Sequence, residues 1–438
     1  MTYQQTLDYM FASLPMYQRI GSEAFKKDLT NTLALCEALG NPQHKIRCVH
    51  VAGTNGKGST THFIAAILAA QGLKVGIYTS PHYLDFRERI KIGSEYISEA
   101  AVIEFIARAK PVLEAIKPSF FEMTVAMAFD YFANQNVDIA VIEVGLGGRL
   151  DSTNIITPLL SVITNISLDH QAMLGDTLPE IAGEKAGIIK PKVPVVIAET
   201  QLELEAVFRN KAAAENAPIF FADKTYTISA FSTDYETNTM QVSILDSETK
   251  KETYRLDALG DYQLKNVVGA LKTIAILNLY HSFEISTETI KKGLAAVRKL
   301  TKMQGRWQVL ATKPFTIADS GHNEGGLRQT MTQLAAFCQT KRETAQTSRL
   351  HFVLGVVNDK ALDTILALLP KNAVYYFAKA DIPRGLEAHL LQSEAARFGL
   401  NGTTHSSTQE AYQIAQKKAT DDDIIFIGGS CFTVAEVI

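Results

Sequence analysis

The stretch Val51-Ala52-Gly53-Thr54-Asn55-Gly56-Lys57-Gly58-Ser59-Thr60 combines glycines, one lysine and hydroxyls in a spacing suited to holding phosphate. Glycines let backbone N–H groups approach an anion closely, and a helix starting there points its positive end at the same place. Lys57 can reach terminal phosphates, and Ser59 or Thr60 can offer a hydroxyl to Mg2+. The spacing departs from the general phosphate loop, G-x-x-x-x-G-K-[ST]: Gly53 lies closer to Gly56, and Gly58 separates Lys57 from Ser59. A glycine-rich turn that binds nothing is the competing reading, but it gives the lysine no packing reason to be there. The chemistry indicated is nucleoside triphosphate binding.

Four further clusters carry polar groups just past apolar runs. Tyr78-Thr79-Ser80-Pro81-His82 follows one such run, so Ser80 is either a Mg2+ ligand or part of a strand-ending turn. Glu143-Val144-Gly145-Leu146-Gly147-Gly148-Arg149-Leu150-Asp151-Ser152-Thr153-Asn154 is more specific. Mg2+ on phosphates takes one or two carboxylates, which Glu143 could supply, while Arg149 and Asp151 could meet ionic substrate groups. In Ser167-Leu168-Asp169-His170 the imidazole is either a metal ligand or a hydrogen-bonded structural residue. In Ile181-Ala182-Gly183-Glu184-Lys185-Ala186-Gly187, Lys185 sits among small residues; it is either a solvated helix lysine or a buried one with a shifted pKa and nucleophilic character. The run Asp85–Ile90 reads as a solvated charged face.

These clusters need a scaffold, and the hydrophobic pattern supplies one. Residues 1 to about 45 read as helical. Strands at 74–79, 138–144, 160–164 and 193–197 then alternate with helices near 99–115, 121–134 and 177–188, which argues for a parallel sheet covered on both faces. Residues 218–257 read as short strands forming an antiparallel edge or a small sheet. Helices follow near 263–280 and 286–298. After a boundary near 299–305 the alternation resumes, with strands at 315–318, 350–354, 373–377 and 424–427 and helices at 324–338, 360–368, 387–397 and 408–419. The fold class expected is α/β: a mostly parallel P-loop-containing domain over 1–298, then a smaller Rossmann-like domain over 299–438.

Composition narrows the function classes. The 438 residues suffice for two or three cores, 46% hydrophobic and 20% charged residues are ordinary, and a net charge of −3 gives no basic field for nucleic acid or membrane. Cys36, Cys48, Cys338 and Cys431 lack metal-site or disulfide spacing, and no leader or membrane-length apolar run is visible. A cytoplasmic monomer is expected.

The segments GTNGKGS, TSPH, EVGLGGRLDSTN, DH followed by LG, EKAGIIK, GRW, DSGHN and Gly428-Gly429-Ser430 together resemble the Mur ligase superfamily, and within it the folylpolyglutamate synthase/dihydrofolate synthases, over essentially the whole chain. The resemblance implies a central-domain-like first domain. It implies a carbamylated Lys185 that binds metal together with Ser80, Glu143 and His170. It also implies ATP contacts from Asn266, Arg306, Asp319 and His322 across the domain boundary, and a pteroate-holding segment that includes Phe121 and Thr124. Two Mg2+ sites, with Ser59 on the nucleotide's metal and room for a monovalent cation, follow from the same likeness. One departure is Tyr262, where the family usually shows histidine.

The activity so implied is ATP-dependent amide ligation: a folate or dihydropteroate carboxylate is activated as an acyl phosphate and captured by L-glutamate, with Lys57, Glu143, His170 and Lys185 as the working residues. Another Mur-type ligase is the first rival, though the early phosphate loop leaves no room for a preceding uridine-nucleotide domain. A nucleotide-gated binding module is the second; it explains the loop but not the metal-ligand set.

Overall fold

Strands whose residues are buried on both sides need neighbours on both edges and helices above and below. Strand β1 (Cys48–Ala52) is of this kind, with every residue buried. It lies inside an eight-stranded sheet with β2 (Val75–Tyr78), β3 (Ile90–Ile92), β4 (Glu95–Tyr96), β5 (Ile139–Glu143), β6 (Leu160–Ile163), β7 (Val195–Ile197) and β8 (Ile219–Phe221), in the order β4-β3-β2-β5-β1-β6-β7-β8. The pairs from β2 to β8 are parallel, and only β3 and β4 run antiparallel at one edge. The computed structural model describes residues 1–16, 28–358 and 362–438. The expected helical pattern at 17–27 and the start of the helix expected at 360–368 lie outside the described residues.

Helices cover this sheet. One apolar cluster joins Tyr3–Ser13, Glu99–Ile116 and Phe120–Asn134 to Ala140 and Ile142 of β5. Ile139 and Val141, which point the other way, are also fully buried, so β5 is covered on both faces. A second cluster joins Leu178–Ala186 and Glu205–Ala214 to β6 and β7. The helix Lys57–Ala70 is nearly all buried through Leu68, which accounts for its weak amphipathic pattern.

Residues 218–257 differ from the antiparallel expectation in part. Ile219–Phe221 extends the large sheet in parallel, because its chain returns through the helix Glu205–Ala214 and a crossover of that kind favours a parallel neighbour. A separate three-stranded sheet contains β9 (Thr227–Asp234), β10 (Thr239–Leu245) and β11 (Lys251–Leu256).

The chain divides into two units. The first holds Met1–Phe231, Gln241–Asp257 and Leu264–Lys302; the second holds Met303–Ile438 together with Ser232–Met240 and Ala258–Gln263. Those two early segments belong to the second unit because their side chains pack there. The Tyr235 ring lies 4.7 Å from that of Phe337 and 5.5 Å from that of Phe315. A six-stranded sheet organises this unit, with β12 (Gln308–Thr312), β13 (Phe315–Asp319), β14 (Leu350–Leu354), β15 (Ala373–Ala378), β16 (Gly402–His405) and β17 (Ile424–Gly428) in the order β12-β13-β17-β14-β15-β16. All its pairs are parallel except β12 with β13. Strand β16, at one edge, carries too few apolar residues to be read from the sequence.

Candidate active site

The phosphate loop sits between β1 and the helix Lys57–Ala70, and its glycines are required by geometry. Gly53 has φ +144° and Gly56 φ +84°. A Cβ on Gly53 would lie 1.8 Å from Thr164 Oγ1, and one on Gly56 would lie 2.2 Å from Asn266 Oδ1. No side chain caps the helix start, which leaves its first-turn amides available to an anion. Lys57 Nζ donates to the carbonyls of Gly53 (3.1 Å) and Thr54 (3.0 Å), so its ammonium is held over the mouth of the loop. Ser59 and Thr60, buried in the first helical turn, bring hydroxyls to the same end.

Thr54 and Asn55 have a different task from the expected one. The amide of Thr54 donates to Asn165 O (2.7 Å) and that of Asn55 to Asn165 Oδ1 (3.0 Å). Their side chains bond Ser167, and Thr164 Oγ1 donates to Asn55 O at 2.6 Å. These residues shape the loop and are not free to cradle phosphate through those amides. The nearby Asn266 is buried against Gly56, as the clash distance shows.

Glu143 ends β5, beside β1, with Val51 as its register partner. It is 4% exposed, and its Oε2 accepts the amide of Ser80 at 3.1 Å. Two residues far apart in sequence thus meet where β2 and β5 end together. His170 follows β6 on the other side of β1 and adopts φ +51°, with its amide donating to Asp169 Oδ1 at 2.9 Å. Backbone strain of this kind, in a non-glycine residue, concentrates at working sites.

Lys185 is 3% exposed in the helix Leu178–Ala186, which rules out the solvated reading. Burial, and next the like charge of Lys57, push its pKa down to about 7, while Asp169 and Asp151 pull the other way. The neighbouring glycines let its helix come close. A Cβ on Gly148 would lie 2.9 Å from Lys185 O, and one on Gly187 would lie 2.4 Å from Arg149 Cβ.

Arg149 and Asp151, expected to meet ionic substrate groups, are both engaged within the chain. Arg149 pairs with Glu184 at 2.8 Å. Asp151 is fully enclosed and accepts from Leu146 N (2.8 Å), Thr153 N (3.0 Å) and Thr153 Oγ1 (2.5 Å). Burial raises its pKa against the opposing effect of these bonds. It fixes the loop that follows Glu143. Thr124 is likewise a core residue whose hydroxyl donates to Phe120 O at 2.7 Å within its own helix. The Phe121 ring lies 6.2 Å from that of Tyr78 and fills the space a Cβ on Gly145 would need.

Sequence reasoning missed Arg89. Far from lying on a solvated face, it is 4% exposed, donates from Nε to His82 Nδ1 at 2.7 Å and stacks over Phe120 at 5.5 Å. Burial, then the Arg89 charge, holds the His82 imidazole neutral, with its pKa down to about 3. Arg87, Glu88 and Arg89 are consecutive charged residues in a short 3-10 turn, so the sequence carried no signal that the last of them is buried.

In the second unit Asp319 ends β13 as a hub. Its Oδ2 accepts from Tyr262 Oη (2.5 Å) and Trp307 N (2.9 Å), and its Oδ1 from Gly321 N (2.9 Å) and Thr330 Oγ1 (3.2 Å). Direct contact with a nucleotide would have to displace one of these donors. Trp307 is held at φ +41°, and the preceding Arg306 bonds Ser320 Oγ and Gly305 O. His322 Nδ1 lies 3.1 Å from Ser320 O. Tyr262 therefore supplies a donor to Asp319 from the position where the resemblance leads one to expect histidine.

Among the described residues no group of three or more His, Cys, Asp or Glu side chains is placed to hold a metal. The donors present are one buried carboxylate, Glu143, with nearby hydroxyls. That set fits Mg2+, which keeps waters and takes much of its coordination from phosphate oxygens. No described helix is long and apolar enough to cross a membrane.

Two α/β units, with a phosphate loop at the carboxyl ends of β1, β5 and β6, are suited to an enzyme that uses a nucleoside triphosphate. Residues 51–274 match the Mur ligase middle domain, and residues 305–431 match the Mur ligase glutamate ligase domain. The dihydrofolate synthase/folylpolyglutamate synthase of Bacillus subtilis is 34% identical, with 94% of each chain covered. A probable bifunctional folylpolyglutamate synthase/dihydropteroate synthase of Haloferax volcanii is 32% identical; it covers all of this chain, which spans 50% of that relative's length. The solved structure of Escherichia coli FolC in complex with DHPP and ADP matches with a TM-score of 0.85 at 27% identity, covering 100% of this chain and 97% of that one. The chain belongs to the Mur ligase family and, within it, to the folylpolyglutamate synthase/dihydrofolate synthase group.

Proposed function

We propose that this protein joins L-glutamate to a folate carboxylate at the expense of ATP, and that it accepts both dihydropteroate and a reduced folate already bearing glutamate. The observation that carries the reading is the meeting of the phosphate loop, the Glu143–Ser80 pair and buried Lys185 around the carboxyl ends of neighbouring parallel strands. Lys57 and the helix amides hold the triphosphate and neutralise charge on the phosphoryl group in flight. A carboxylate oxygen of the folate attacks the γ-phosphorus and ADP leaves. The amine of glutamate then attacks the acyl carbon of the acyl phosphate; phosphate departs with the C–O electron pair, and the amine loses its proton as the amide forms.

Glu143, Ser80 and Ser59 would hold Mg2+, with His170 adding an imidazole. When bound, the ion screens phosphate charge and orients the reacting oxygens. Lys185 in its neutral form would take up CO2, forming an N–C bond and releasing one proton, so that a neutral amine becomes a carbamate with two hard oxygens. Its burial supports this, since an uncompensated ammonium there is disfavoured. Arg306 and His322 are proposed nucleotide contacts, with Asp319 and Tyr262 shaping their turn. Phe121, beside Tyr78 and Arg89, is proposed to bound the pteroate ring. Cys36, Cys48, Cys338 and Cys431 form no disulfide, which fits a reducing cytoplasm.

Phosphate release tests the reading, with dihydropteroate and tetrahydrofolate offered separately, each with ATP and L-glutamate. Glutamate-dependent release with both acceptors is expected. Slow ATP turnover unaffected by either acceptor would overturn the ligase assignment, and release with one alone would overturn its dual use.

A further inference from the structure

Beyond the residues that line the site, the segment Thr164–His170 after β6 has to keep two things in register: the phosphate loop, through Thr54 and Asn55, and the strained His170 turn. Such a segment has no regular ladder of its own, so something must hold its peptides. At its centre, Ile166 is gripped by a single side chain. Its amide donates to Gln201 Oε1 at 2.8 Å, and its carbonyl accepts from Gln201 Nε2 at 2.9 Å.

Gln201 is itself firmly mounted. Its carbonyl accepts the amides of Leu204 (2.9 Å) and Glu205 (3.0 Å) at the start of the helix Glu205–Ala214. The preceding Thr200 is fixed to Asp223 through its amide (2.6 Å) and hydroxyl (2.5 Å). A primary amide carries its acceptor and its donor on two adjacent atoms, a spacing that can satisfy both backbone groups of one residue at once. The grip is therefore chemically specific, and the next residue along, Ser167, is the one that bonds Thr54 and Asn55.

We propose that Gln201 is a positioning residue that sets the phosphate loop from outside the site, by clamping Ile166 so that Asn165 and Ser167 hold Thr54 and Asn55. The proposal rests on the reading of residues 53–60 as the nucleotide loop. The clamp acts on nucleotide binding more than on folate binding, because Phe121, Arg89 and His82 lie on elements it does not touch.

The test uses the full-length enzyme and Gln201→Met, which keeps length and removes both bonds, beside Gln201→Glu, which keeps the acceptor and loses the donor. ADP affinity is measured by calorimetry, and amide exchange is followed at Thr54, Asn55, Ile166 and Ser167. For Gln201→Met we expect ADP binding weakened ~5–10-fold, as for loss of two modest hydrogen bonds, with faster exchange at those amides and the KM for folate within about twofold of the parent. Gln201→Glu should lose less. Leu202→Ala, at a neighbouring residue 82% exposed, should behave as the parent. A folded Gln201→Met with parental ADP affinity overturns the proposal, as does equal weakening for ADP and folate or an equal loss in Leu202→Ala. Should Gln201→Met not fold, the ADP affinity of Gln201→Glu decides by the same criterion. Lys57→Ala separates the two readings: parental ADP binding in that variant would refute the loop assignment itself, while the exchange data would still report the clamp.

Discussion

Two buried lysines in the first unit have their pKa values pushed to about 7 by burial, and they make opposite predictions. For Lys185 the expected outcome is chemical. Lys185→Ala should lose ligation by at least ~100-fold, the scale of removing one electrostatic stabiliser of a transition state, while ATP binding and the fold persist. Partial recovery of activity with a short carboxylic acid would support the carbamate, and full activity without additive would refute it. For Lys91 the outcome is physical. Its Nζ donates to Thr301 O at 2.8 Å, with Glu88 and Glu143 favouring its charge and Lys302 opposing it. Between about 7 and its ordinary value of 10.5 the unfolded chain binds a proton that the folded one lacks, so stability should rise with pH across that window. The difference between parent and Lys91→Met should therefore grow with pH in the parent's favour, by up to ~1.4 kcal/mol per pH unit for one proton. Urea midpoints from pH 7.5 to 9.5 measure it, and a flat difference would show that Lys91 stays charged when folded.

At the scale of elements, the loop between β1 and its helix tolerates no side chain at Gly53 or Gly56. Gly56→Ala would put a methyl into Asn266 and force an L-residue to φ +84°. ATP affinity should fall at least ~10-fold, because both the steric and the conformational cost fall on the bound loop. Adding Asn266→Ala should restore only part of it, which fluorescence titration with an ATP analogue can measure; full restoration would mean that the backbone angle is unimportant. The sequence made this loop legible because glycine has few other reasons to recur beside lysine. The same logic placed Glu143, whose strand is an unbroken apolar run ending in a carboxylate. It could not say which task Asp151, Arg149 and Thr124 perform, since polar residues in a rich motif look alike whether they face substrate or brace a turn. Only partners distant in sequence, such as Glu184 for Arg149, distinguish the two. It failed also for Arg89, because a charged residue buried against an aromatic ring leaves no periodic trace. The edge strands β4 and β16 were invisible for a related reason: half-exposed strands need not be apolar.

For the whole molecule, the consequential feature is that the second unit is not one continuous stretch. Tyr235 packs on Phe315 and Phe337, and Asp261 N and Tyr262 Oη bond Gln333 and Asp319. Residues 303–438 expressed alone should therefore lack an aromatic plug and the Asp319 donor, and should show broadened near-UV dichroism and poor NMR dispersion. A well-dispersed spectrum from that fragment would show these inserts to be dispensable. Supplying a peptide spanning 232–263 should sharpen it.

The same arrangement imposes a schedule on a chain made from its amino end. Tyr235 leaves the ribosome before Gln333, its hydrogen-bond partner 98 residues further on. At roughly 5–20 residues per second that is a wait of about 5–20 seconds, during which an aromatic hairpin tip has nothing to pack against. The second unit cannot close when its own bulk has only begun to emerge, and it is in this interval that the nascent chain is most exposed to capture by chaperones or by its neighbours.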